Sequence, residues 1–406
     1  MPGSHLRTVL FLGLFGSIVC LGMAQAETLV LRGGNLYASP EATPLPNAAV
    51  VMSNGVITAV GSTSEVQSPN DARVIDCTGK TIVAGFWNSH VHFTQAVWQQ
   101  AATAPTAPMT AHMREMLTQW GFTTVWDLGS DPRDSLALRR RVNAGEIPGP
   151  TILLAGDIFP KGGHPEYLPP EMQLPEAASP EEAAQMARAD LGMGLDGMKL
   201  FTGAYMGDKP VVNMDVAVAR AAVEVAHAQG RPVFAHPQNK TGMQTVIEAQ
   251  IDIMAHIVPS ERGYSAEDLA RFKAQHVALI PTLSLFAKTV GSEALGARLV
   301  GNGVAQLKAF SENGGPVLFG TDIGFTHIYD TALEYELMHR ALSEQQILAS
   351  LTTNPAAYFK AAKKGRVENG FDADLVVLDG DPMTDVKNLA RVAYTIRAGT
   401  IIYQKP

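Results

Sequence analysis

The sequence predicts an α/β protein, a (β/α)8 TIM barrel with a small β-sandwich formed by both chain ends. Three observations predict it. Strand-like and helix-like runs alternate through the middle of the chain, which is the pattern of a parallel sheet. Short β-rich runs separated by turn residues occupy both ends. Metal-ligating side chains recur where the middle strands stop, the end at which such barrels place their chemistry.

The chain has 406 residues, enough for one large barrel with an accessory domain. Its 46% apolar and 17% charged content fits a packed enzyme and argues against disorder. A net charge of −8 with no basic run excludes an electrostatic footprint for nucleic acid. Only Cys20 and Cys77 occur, so a disulfide framework and a cysteine zinc site are both excluded.

Residues 1–26 read as a signal peptide. Arg7 supplies the positive start, Val9 to Met23 the apolar stretch, and Ala24-Gln25-Ala26 the small-x-small cleavage pattern. The apolar run is short for a membrane span of about 20 residues, so cleavage and a secreted or periplasmic location are expected, without stable membrane association afterwards. A lipid on Cys20 is the alternative, disfavoured by the bulky Ile18-Val19 before it. Cys77 is then left unpaired, as a buried small hydrophobe.

Residues 27–80 and 368–406 are expected to share the sandwich. Thr28 to Leu31, Ala49 to Met52 and Val56 to Val60 are β-rich, and Ser53-Asn54-Gly55 joins two of them as a hairpin. Leu375 to Leu378, Val392 to Ile396 and Ile401 to Tyr403 repeat that texture at the far end. Residues 81–367 are expected to form the barrel. Thr81-Ile82-Val83 is a short buried strand leading into His90 and His92. Later strands are Phe122 to Trp126, Thr151 to Leu154, Gly197 to Leu200, Pro232 to Ala235, Ile251 to Ala255, Val277 to Ile280 and Pro316 to Phe319. Capping boxes at Ser179/Glu182 and Ser343/Gln346 open two of the intervening helices. The loop from Gly156 to Ser179 is long for a barrel connection and is expected to border the active site.

At the strand ends lie His90 and His92 (first), His236 (fifth), His256 (sixth) and Asp322 (eighth), with Lys199 inside the fourth. Residues two apart on a strand share a face, so the His90-x-His92 pair can form half of a metal site. Singly, each has an ordinary reading: a strand-end histidine is more often a hydrogen-bonded loop residue, Lys199 an ion-paired lysine, Asp322 a turn former. Their shared placement argues for a site. His112, His227, His276 and His339 fall on helices or helix ends and read as structural or surface residues.

The series His90-x-His92, Lys199, His236, His256 and Asp322 resembles the amidohydrolase superfamily, in the subgroup with a bridging carboxylated lysine. The resemblance covers nearly the whole mature chain. Gly79 to Phe86 is similar to the family's approach to the barrel, and Gly370 to Leu378 to its return to the sandwich. Asp196 to Phe201 resembles the branch of imidazolonepropionase-like proteins and Xaa-Pro dipeptidases; Trp87-Asn88 departs from the Ile-Asp of many relatives. The resemblance implies two divalent ions. One is held by His90, His92 and Asp322, the other by His236 and His256, with carboxylated Lys199 between them. Imidazoles and a carboxylate suit zinc first, with manganese, iron or cobalt as alternatives for the same set. A buried lysine loses its proton readily, and the neutral amine reacts with carbon dioxide to give the carbamate.

The expected activity is hydrolysis of an amide or peptide-like C–N bond in a small molecule by a metal-bridging hydroxide, with Asp322 moving the proton. His164 is a candidate to hydrogen-bond the substrate carbonyl, and Tyr205 and His327 are further substrate candidates. An Xaa-Pro-type dipeptidase is one specific form of this activity. A mononuclear deaminase or imidazolone hydrolase is disfavoured by Lys199 and by the absence of a Glu two or three residues beyond His236 or His256. Lactonase or phosphotriesterase activity stays open, a catalytically dead relative is opposed by the complete ligand set, and a homo-oligomer stays open.

Overall fold

A computed structural model describes residues 28–170 and 172–406; the expected signal peptide lies outside the described residues. Two sheets organise the chain, one from its middle and one from its ends.

The middle sheet is parallel. Its strands run in chain order: Phe86–Val91, Phe122–Asp127, Thr151–Pro160, Gly197–Leu200, Val233–Ala235, Ile253–Met254 and Ala278–Leu279. Helices connect them and cover the outer face, as parallel ladders require. The expected eighth strand is not a regular one. Residues 317–323 instead bridge both edges of the sheet, with Val317 beside Leu279 and Ile323 beside Val91. The Ser89 N–H donates to the Phe319 carbonyl at 2.7 Å. Asn88, the departure noted in the sequence, donates its amide to Thr321 Oγ1 at 2.8 Å across 233 residues of chain, so it pins this last segment to the first strand.

One face of the sheet encloses a small core of Trp126, Ala155, Phe234, Ile253 and their neighbours. Phe359, following the helix Thr353–Tyr358, packs on that core: its ring is 5.8 Å from Trp87, 5.0 Å from Trp126 and 6.1 Å from Phe234. The opposite face carries the larger core under the helices.

The chain ends share one hydrogen-bonded, eight-stranded mixed sheet. Leu29–Leu36 has partners on both edges, Leu45–Ser53 on one, Arg73–Asp76 and then Thr81–Ala84 on the other. Thr81–Ala84 in turn pairs with Leu375–Leu378, so both termini enter one ladder. The strand read from Thr81 thus belongs to the end sheet, and the first barrel-type strand starts at Phe86 after the break at Gly85. The hairpin at Asn54-Gly55 forms with positive φ at both residues (51° and 79°), the geometry that matches strand twist. Cys77 is buried and free.

The Ser343/Gln346 capping box is complete. At Ser179 only half forms: the hydroxyl accepts from Glu182 N–H, while the Glu182 carboxylate takes the N–H of Ala178. Among the described residues no helix is long and apolar enough to cross a membrane.

Candidate functional site

The six residues singled out as ligands converge at the C-terminal edge of the middle sheet. The first strand does not run regularly into its histidines. Its register with Phe122–Asp127 slips between Asn88 and Val91, a bulge that re-aims His90. His90 Nε2 and His92 Nε2 then lie 3.2 Å apart. Asp322 Oδ1 is 3.2 Å from the first and 2.9 Å from the second. His256 stands beside His90 (ring centroids 4.7 Å) with its Nε2 3.8 Å from Asp322 Oδ2, and His236 beside His256 (4.6 Å).

Each imidazole is oriented by what holds its other nitrogen. His90 Nδ1 faces the Ala255 carbonyl at 3.0 Å and His92 Nδ1 the Gly129 carbonyl at 2.9 Å. A carbonyl only accepts, so both Nδ1 atoms carry the proton and both Nε2 lone pairs point inward. His256 Nδ1 meets the hydroxyl of Thr282, which donates onward to the Pro281 carbonyl and therefore accepts from the imidazole. His236 is reversed: its Nε2 faces Gln238 Oε1 at 3.3 Å, which frees Nδ1.

The electrostatics suit neutral ligands. Burial, then the Lys199 charge, holds His90 well below the ordinary histidine range and brings His236 down to about 3. His256 is likewise far below, by burial and then by His236. His92 differs: burial pulls its pKa down, but the Asp322 carboxylate, 2.9 Å from its Nε2, raises it overall.

Lys199 is buried, with its side chain over the Phe201 ring (5.6 Å to the centroid) and without a hydrogen bond or ion pair to a described residue. Desolvation lowers its pKa to about 8 against the pull of Asp322 and Asp157. Asp322 adopts a left-handed backbone (φ 61°), and its Oδ1 is buried without a hydrogen-bond donor. An orphaned buried carboxylate oxygen between two inward lone pairs fits a cation, and the His90, His92 and Asp322 ligand atoms lie within 4.8 Å of one another.

The loop candidates lie further out. His164 Nδ1 and Nε2 face the carbonyls of Pro165 and Met172, both at 3.1 Å, so its own loop holds the ring. Tyr205 and His327 are exposed. The four histidines read as structural stay outside the cluster: His112 meets the Tyr329 hydroxyl, His227 pairs with Asp252, His276 stacks on Tyr358, and His339 faces the Leu342 carbonyl.

Sequence reasoning missed four residues here. Thr282 supports His256 from a left-handed backbone (φ 46°), unusual for a β-branched side chain. Glu334, fully buried, accepts the N–H groups of Leu283 and Ser284 and so holds that turn; burial pushes its pKa up to about 7. Asp157 is the register partner of Lys199 on the neighbouring strand, with a pKa raised to about 6 by burial and by Asp190. Tyr167 lies in the long loop already expected at the site, but nothing singles it out from its neighbours in sequence. The residue as a whole is 40% exposed, while burial and then the Asp322 charge push its hydroxyl above the ordinary tyrosine range.

Comparison with known proteins places the chain in a family. The amidohydrolase family model matches residues 81–402. An ochratoxinase from Aspergillus niger is 23% identical over 91% of this chain and 85% of its own length. Among solved structures, a candidate prolidase from Bifidobacterium longum superposes with a TM-score of 0.78 at 27% identity, over 94% of this chain and 97% of that one. A Xaa-Pro dipeptidase with bound methionine has the same fold, with a TM-score of 0.78 at 22% identity over 93% of this chain and 100% of that one. The chain belongs to the amidohydrolase family and is a hydrolase acting on carbon–nitrogen bonds.

Proposed function

We propose that the protein hydrolyses an amide or peptide-like bond of a small molecule at a two-metal centre bridged by carboxylated Lys199. The observation that carries this reading is Lys199 itself: a buried amine beside four histidines, with no carboxylate bound to it. In this reading His90, His92 and Asp322 hold one divalent ion and His236 and His256 the other, zinc being the best match to the donor set. When bound, such ions lower the pKa of water and polarise a carbonyl. Asp322 takes the proton of the attacking water and returns it to the leaving nitrogen. Tyr205 and His327 enter as substrate contacts at the mouth, and His164 as the residue that shapes its loop.

The same reading takes residues 317–323 as the eighth position that closes the barrel. It treats 81–367 as the catalytic domain, and 27–80 with 368–406 as the accessory domain. It also places the mature protein outside the cytoplasm after cleavage at Ala26. The prolidase-type and ochratoxinase relatives support an amide substrate, with an Xaa-Pro dipeptide as one specific form.

A single ion at His90, His92 and Asp322 is the second reading, favoured by the tightness of that triad alone. Elemental analysis of metal-replete protein separates the two: two ions per chain are expected, and one would favour the mononuclear site. Lys199→Ala should lose the ion at His236 and His256 first and lower turnover by orders of magnitude. Acetate or propionate, filling the vacated space, should restore part of both. Full metal content and near-normal turnover in Lys199→Ala would overturn the carbamate.

A further inference from the structure

Large apolar side chains that stay exposed are few, and they are not scattered. Among the described residues they are Val56, Val74, Tyr167, Met172, Met193, Tyr205, Phe325 and Ile328. Five of these eight sit on the loops that follow Thr151–Pro160, Gly197–Leu200 and Asp322, all leaving the sheet edge that carries the ligand cluster. Isolated surface apolar residues need no explanation, but a cluster around a chemical centre marks a recognition surface.

The three loops are built against one another. The Tyr167 and Phe325 rings meet edge to face, with centroids 5.1 Å apart and planes at 70°. The Glu166 N–H donates to the Tyr205 carbonyl at 3.2 Å, which ties the first loop to the second. Phe325 follows Asp322 by three residues, and its approach is fixed: Thr94 Oγ1 and Gln95 Nε2 both donate to the Gly324 carbonyl at 2.9 Å. Gly324 has a positive φ (98°) and packs on the His92 carbonyl, where a side chain has no room. Deeper in, the Phe286 ring stands edge-on to His256 (6.2 Å) and Phe201 stacks on His236 (5.0 Å). Aromatic rings thus lie both against the ligand histidines and on the loops that leave the same sheet edge.

We propose that Tyr167 and Phe325 are specificity-determining residues that grip an aryl group next to the scissile bond, so that the substrates are amides bearing an aromatic substituent. This rests on the proposed amide hydrolysis. Edge-to-face pairing leaves one face of each ring open to a third ring, the usual way aromatic clusters grow. A well-enclosed apolar group is worth roughly ten- to two-hundredfold in discrimination.

Two measurements on metal-replete protein test it. The first compares kcat/KM for N-acetylglycine, N-benzoylglycine and N-acetylphenylalanine. At least one aryl amide should exceed N-acetylglycine about tenfold or more, mainly through KM. Phe325→Ala and Tyr167→Leu should reduce that ratio at unchanged metal content, and Phe325→Trp should keep it. The second is independent of turnover: calorimetric binding of 3-phenylpropanoate against propanoate. The aryl acid should bind about tenfold tighter, and the advantage should vanish in Phe325→Ala. If no amide is turned over but this difference is found, the aryl grip stands and the hydrolytic reading falls. Equal affinity of the two acids in wild type overturns the grip, whatever the turnover. A dimer that dissociates in Phe325→Ala, with no preference for the aryl acid, would assign the patch to a second copy of the chain and overturn it too.

Discussion

His256 Nδ1 lies 2.7 Å from the hydroxyl of Thr282, and that hydroxyl has already committed its proton to the Pro281 carbonyl at 2.9 Å. The imidazole must therefore donate, which leaves Nε2 as a lone pair facing Asp322. A threonine held at φ 46° to make this one contact is a local cost that tertiary structure, including the Glu334 carboxylate under the next two N–H groups, overcomes.

Replacing Thr282 with Val removes the acceptor but keeps the shape. Metal affinity at the His236/His256 side should fall about ten- to a hundredfold, while Thr282→Ser should stay close to wild type. A competition titration with a chromophoric chelator measures both. Equal affinities in Val and Ser variants would show that the hydroxyl does not orient His256.

Lys199 makes the metal-free protein sensitive to pH. Its pKa drops from 10.5 to about 8 on folding, because burial disfavours the ammonium. Between those values the unfolded chain binds a proton that the folded chain does not, so stability rises with pH through the window. Below pH 8 the deficit is complete, on the order of 3 kcal/mol. Lys199→Met should therefore raise the urea midpoint of chelated protein at pH 7 and narrow its difference between pH 7 and pH 10. A midpoint lowered at pH 7 would count against a buried, unpaired amine.

Phe359 touches three aromatic rings under the sheet, from outside any strand. Phe359→Ala should destabilise the fold by about 3 kcal/mol without altering metal stoichiometry, read from denaturant unfolding and elemental analysis. A change below about 1 kcal/mol would mean the site collapses around the missing ring.

The mature chain should start at Glu27. Intact Met1 in N-terminal sequencing of exported protein would refute the cleavage at Ala26.

The parts legible in sequence were those with a local cause. Asn54-Gly55 announces its hairpin because few residue pairs accept two positive φ angles, and Ser343 with Gln346 announces a helix start. The residues of the cluster were legible because their types recur at strand ends. What escaped was set by distance in the chain. Thr81–Ala84 looks like a lead-in to the strand that carries His90, yet its partners are Leu29–Leu36 and Leu375–Leu378, so it lies in the other sheet. Residues 317–323 carry apolar strand residues but connect by isolated bridges, because the backbone must turn to present Asp322. Thr282 and Glu334 carry no motif; only the folded chain brings them under His256 and the helix Leu283–Lys288.

The bond between Asn88 and Thr321 sets an order of events. Its partners are 233 residues apart, and His90 and His92 come two and four residues after one while Asp322 follows the other. No shorter part of the chain contains the whole His90, His92 and Asp322 triad. Closing so long a loop has an entropic cost, and contacts of this separation form slowly. In the proposed two-metal reading, a chain still lacking residue 322 offers His90 and His92 without the carboxylate that completes their triad, so this half of the site is assembled only once the segment carrying Asp322 has docked on the first strand.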